Sequence, residues 1–119
     1  MGLIVNRTEQ VVFSRVLQPL EGYRAEKECP IDGAITSVIF NFPDGCYDPI
    51  TGNYLLDMAF GHANDQICPG EGTLALNNIP MLFPISEKVQ KNDTLWVVME
   101  NADALNPHGV SIIAIIVGS

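Results

Sequence analysis

The chain has 119 residues, enough for one domain around one core. Its net charge is −8 and its six basic residues are never adjacent, which argues against a nucleic-acid backbone or an anionic membrane surface as partner. Hydrophobic residues make up 47 % and charged residues only 17 %, so apolar surface is expected to remain outside one subunit's core.

No apolar stretch approaches the ~20 residues that span a bilayer. The start, Met1-Gly2-Leu3-Ile4-Val5-Asn6-Arg7, lacks the basic opening and small-residue cleavage site of a signal peptide. Asn6 stands where a myristoylation signal wants Ser or Thr. Synthesis in the cytoplasm without export is therefore expected. Cys29, Cys46 and Cys68 are odd in number and form no Cys-x-x-Cys, so reduced thiols are expected rather than a disulfide framework or a zinc knuckle.

In chain order, Leu3, Ile4 and Val5 form an apolar lead-in, and residues 9–17 read as a strand turned by Pro19-Leu20-Glu21-Gly22. Residues 23–29 alternate weakly and carry Arg24, Glu26, Lys27 and Glu28, the marks of a protected edge strand. After Pro30-Ile31-Asp32-Gly33, residues 34–42 alternate clearly: Thr36, Val38, Phe40 and Phe42 on one face, Ile35, Ser37, Ile39 and Asn41 on the other. Residues 46–53 read as a loop. Residues 54–61 read as a strand with Tyr54, Leu56, Met58 and Phe60 on one face.

Short strands follow at 66–68, 73–76 and 81–85, with 86–93 as a polar connection. Two strands close the chain, 94–101 and 110–117, joined by the polar loop 102–109. The last is apolar on both faces: Val110, Ile112, Ala114 and Ile116 on one, Ile113, Ile115 and Val117 on the other. Such a strand needs cover on both sides. One cover is its own core and the other is expected to be a second subunit. No segment keeps a helical period, and Pro and Gly punctuate the chain at short intervals. The fold class is therefore all-β: an antiparallel β-sandwich, with jelly roll preferred. Residues 1–18 are read as an N-terminal arm and first strand, and 19–119 as the single sandwich domain.

Several stretches bear on chemistry. Asn92-Asp93-Thr94-Leu95-Trp96-Val97 followed by the Asn-rich loop and Pro107-His108 resembles the first ligand strand of cupredoxins, in which His108 would match a copper ligand. The Cys, His and Met ligands that copper needs beyond it are missing from residues 109–119. His62 follows a strand as cupin histidines do, but no His-x-His exists. Turn chemistry is the favoured reading for Asn101, Asp103, Asn106 and both histidines. Asp44, Asp48 and Asn53 place oxygens on one loop without EF-hand spacing. Trp96 with Tyr23, Tyr47 and Tyr54 would offer a sugar-stacking platform if exposed. There is no nucleophile signature and no phosphate loop. No catalytic, cofactor-binding or metal residue is therefore assigned, and no cofactor.

The apolar N-terminal arm (residues 3–17), the strand 34–42 ending in Phe42-Pro43-Asp44-Gly45-Cys46 and the closing strand pair together resemble the small jelly-roll proteins that decorate or cement viral capsids. The resemblance is one of architecture. It implies a non-enzymatic homotrimer on the virion surface, made in the host cytoplasm, with a capsid or similar lattice as partner. Leu3, Ile4, Val5, Ile113, Ile115 and Val117 are the expected oligomer or lattice contacts. A carbohydrate-binding sandwich is the alternative reading, and a cupredoxin-like or cupin-like metal protein the next.

Overall fold

The structure, a computed structural model, describes residues 7–118. Ten strands occur and no helix is found among the described residues: β1 Arg7–Leu17, β2 Gly22–Glu28, β3 Gly33–Phe42, β4 Tyr47–Asp48, β5 Asn53–Tyr54, β6 Leu56–His62, β7 Asp65–Cys68, β8 Ile79–Val89, β9 Thr94–Asn101 and β10 His108–Gly118. Two four-stranded antiparallel sheets form the sandwich: sheet A in the order β1-β10-β3-β8 and sheet B in the order β2-β9-β6-β7. The small hairpin β4-β5 stands apart, inserted between β3 and β6. Strands β1, β2, β3 and β6 pair in turn with β10, β9, β8 and β7, so the chain runs as one long hairpin wound around a core.

The pairing follows from alternation. Val11, Phe13 and Leu17 of β1 face Val110, Ile112, Ala114 and Ile116 of β10 on the inner side of sheet A. Leu56, Met58 and Phe60 of β6, with Leu95, Val97 and Met99 of β9, close the core from sheet B. Phe83 of β8 packs edge-on against Phe40, ring centroids 5.7 Å apart.

Four expectations are corrected by this register. Strict alternation put Ile35 opposite Val38, Phe40 and Phe42, yet all four are buried. A β-bulge at Thr36, where Ile35 and Ser37 pair with the adjacent Ile116 and Ile115, flips the face and turns Thr36 outward. Residues 81–85 and the connection 86–93 are not separate, because β8 runs unbroken to Val89. Pro80 and Pro84 fit within it because β8 is an edge strand. Residues 73–76 form no strand, only a bridge between Leu74 and Met58. The loop expected at 46–53 holds the hairpin β4-β5, paired Tyr47 to Tyr54.

Residues 9–17 belong to β1, which pairs with β10 along its whole length and so joins the domain expected for 19–119. The arm residues Leu3, Ile4 and Val5 lie outside the described residues. Cys29, Cys46 and Cys68 are free and buried.

Candidate interaction site

Alternation and register together fix what sheet A shows on its outer side. Val12, Ile113, Ile39 and Leu82 lie side by side across all four strands. Below them run Gln10, Ile115, Ser37 and Pro84, and then, past the bulge, Thr8, Val117, Ala34 and Lys88. Above them run Ser14, Ser111, Asn41 and Pro80. Lys88 is the only charged side chain in these four rows. The row through Ile113 is apolar from edge to edge, with Val12 37 % and Leu82 53 % exposed. Its middle members Ile113 and Ile39 are half-buried by their neighbours alone.

Sheet B contrasts with this face. Its outer side carries Arg24, Glu26, Glu28, Asp57 and Glu100 around Trp96, Val98 and Ala59. A chain with a net charge of −8 thus keeps one sheet face almost free of charge. An exposed apolar row on an almost uncharged face is a candidate contact surface. Ile113, Ile115 and Val117 take the outward places expected of them. Val12, Ile39 and Leu82 carry no such signal in sequence, because only strand register reveals that they line up with Ile113.

The residues considered for chemistry fall into separate groups. His108 is buried on the inner side of β10 and donates from Nε2 to Asp103 Oδ2 at 3.0 Å. Its Nδ1 faces Cys46 Sγ at 3.9 Å. The order Cys-His-Asp is that of a nucleophile, base and orienting acid. Burial, however, pushes the Cys46 thiol up to about 11, with Asp103 and Asp44 adding to the shift, so it stays protonated at neutral pH.

The loop between β9 and β10 explains the arrangement better. Asp103 accepts N–H bonds from Leu105 (2.8 Å) and Asn106 (3.1 Å), and the Asn101 amide donates to the carbonyls of Leu17, Gln18 and Asn106. The backbone bond from Leu105, then His108, hold the Asp103 carboxyl at about 2, against burial. Its contribution to stability is present above its ordinary value of 3.8 and is lost as pH falls through about 2. Asp103→Asn is therefore expected to lower the melting temperature at neutral pH and to flatten its decline in acid. A thermal scan between about pH 7 and pH 2 checks this, and parallel curves would contradict it.

His62 is elsewhere. It pairs with Leu95 at one end of β9, while Asn101 marks the other, six residues or about 20 Å away. The ring joins the two sheets: Nδ1 donates to Glu87 of β8 at 2.7 Å and Nε2 to Asp93 at 2.8 Å. Two carboxylate acceptors demand two N–H donors, so this ring is an imidazolium. Burial pulls its pKa down, but the bonds to Glu87 and Asp93 outweigh burial and raise it above 6.5. A raised value stabilises fully below about 6.5 and fades as pH rises through it. His62→Gln is expected to cost about 2 kcal/mol near pH 5.5 and clearly less near pH 9, read by urea unfolding. An equal loss at both would sink the linkage.

Among the described residues no group of three or more His, Cys, Asp and Glu side chains converges on a metal position. Asp44 and Asp48 spend an oxygen each on turn N–H groups, those of Gly45 and Ile50. Trp96 is only 9 % exposed and lies on Gly61, with its Nε1–H bonded to the Ala63 carbonyl and Arg24 stacked 4.7 Å above the ring. It offers no open platform. Comparison with protein-family models, with curated proteins and with solved structures finds no match for the chain.

Proposed function

We propose that the chain is a non-enzymatic structural protein that self-associates through the outer face of sheet A. As an oligomer it decorates or stabilises a larger protein lattice, a viral capsid being the form the sequence resemblance implies. The observation that carries this reading is the uncharged, edge-to-edge row Val12–Ile113–Ile39–Leu82. Four strands about 4.8 Å apart and ten residues long give a face of about 650 Å². That is near the roughly 800 Å² per partner of a standard protein interface. The wound hairpin, with its outgoing and returning strands paired in reverse order, is the arrangement we read as a jelly roll, a common fold of capsid proteins.

Light scattering on a sizing column tests the reading. A closed oligomer of two, three or more chains of 13.0 kDa is expected, the trimer being the form the resemblance implies. A 13.0 kDa species at every concentration would remove self-association.

One observation favours a carbohydrate-binding module instead. Tyr47 and Tyr54 are exposed on the hairpin with ring centroids 4.9 Å apart. Saccharides that shift tyrosine resonances in the native protein, but not in Tyr47→Ala, would support that reading.

A further inference from the structure

The two edges of sheet A differ. Lys27, reaching across from β2, donates to the Val12 carbonyl, which marks the backbone of Val12 as facing away from β10. In an antiparallel ladder each residue points its N–H and C=O to the same side, and the side alternates along the strand. Gln10, Val12 and Ser14 therefore turn their N–H and C=O groups to the free edge of β1, where Lys27 meets the Val12 carbonyl. Carried across the aligned row, the same alternation turns Pro80, Leu82 and Pro84 toward the free edge of β8. There the two prolines remove two donors, a usual way of refusing another strand. The β1 edge has no proline. Among the described residues its guard is Lys27 alone, beside a cleft of about 210 Å³ between the sheets lined by Val12, Phe13, Ser14, Tyr23, Ala25 and Lys27.

We infer that the free edge of β1 pairs with β1 of a second copy, antiparallel across a two-fold axis near Val12. This deepens the self-association proposed above and rests on it. Two features select a second copy as the occupant. The outward side chains of this edge, from Thr8 to Ser14, are all uncharged, so identical edges meet without repulsion. The apolar row also reaches the edge at Val12. Two-fold pairing joins it to its symmetry mate and gives one stripe across eight strands. Lys27 swings off the Val12 carbonyl when the second strand arrives.

Ser14→Pro tests this on the whole chain. The N–H it removes faces the free edge, so the ladder to β10 survives, as β8 shows for Pro80 and Pro84. Even-numbered assembly in the wild type, halved in mass by Ser14→Pro and by Gln10→Pro with circular dichroism unchanged, is the expected result. Lys27→Ala is expected to tighten association several-fold. Three results would overturn the edge pairing: a wild-type monomer or odd-numbered ring, an even oligomer that both proline variants leave intact, or an edge that takes only a strand of another protein. If the proline variants keep their mass while Ile113→Asp loses it, the face-mediated function stands and only the edge pairing falls.

Discussion

Gly61→Ala is expected to destabilise the domain by about 3 kcal/mol. A Cβ at position 61 would stand 2.1 Å from Cε2 and Cζ2 of Trp96, far inside contact distance. The indole is a rigid bicycle on a central strand, so it cannot yield by a few tenths of an ångström and must leave its slot. With it go the Nε1–H bond to Ala63, 2.9 Å long, and the stacking of Arg24. Trp96 is the sole tryptophan, so its fluorescence reports the event directly: a red shift in the folded state should accompany the loss. In a Trp96→Ala background the same substitution should cost little, or even stabilise, since alanine is favoured over glycine within a strand by roughly 0.5–1 kcal/mol. Equal costs in the two backgrounds would show that the indole does not read position 61.

Local signals made much of the fold legible. Residues 94–101 have the same bounds in sequence and structure, because an Asp-Thr start, dense apolar alternation and an Asx-rich end frame them. The edge position of β2 followed from its four charges. What stayed hidden depends on partners. The bulge at Thr36 becomes visible only when β3 is laid against β10. β8 looked broken because proline reads as a terminator until the strand is known to lie at an edge. Cys46 and His108 are 62 residues apart, and His62 and Glu87 are 25 apart, so no spacing rule could join them. The candidate face was half legible: Ile113, Ile115 and Val117 came from one strand's alternation. Val12, Ile39 and Leu82 needed the register of four.

Ile113→Asp is expected to break the face contact and leave folded 13.0 kDa subunits joined, at most, in pairs through the β1 edge. In the single subunit the side chain at 113 points away from the core, so an aspartate there can reach water. The fold loses only strand propensity, roughly 1 kcal/mol. In the assembly the position is central: Val12 and Ile39 flank it in the one row that is apolar throughout. The change forfeits about 1.5–3 kcal/mol of isoleucine burial. It also places an unpaired carboxylate in a dry contact, which costs several kcal/mol more unless water enters. Together these weaken association at least 100-fold, since each 1.4 kcal/mol is about tenfold. Ile50→Asp supplies the control: Ile50 is 93 % exposed in the β4-β5 turn, off the face, and its substitution should leave the native mass unchanged. If Ile113→Asp keeps the wild-type mass, the outer face of sheet A is not the contact. If both variants fall apart, the hairpin also takes part, and the interface extends from the sheet onto the loops around Tyr47 and Tyr54.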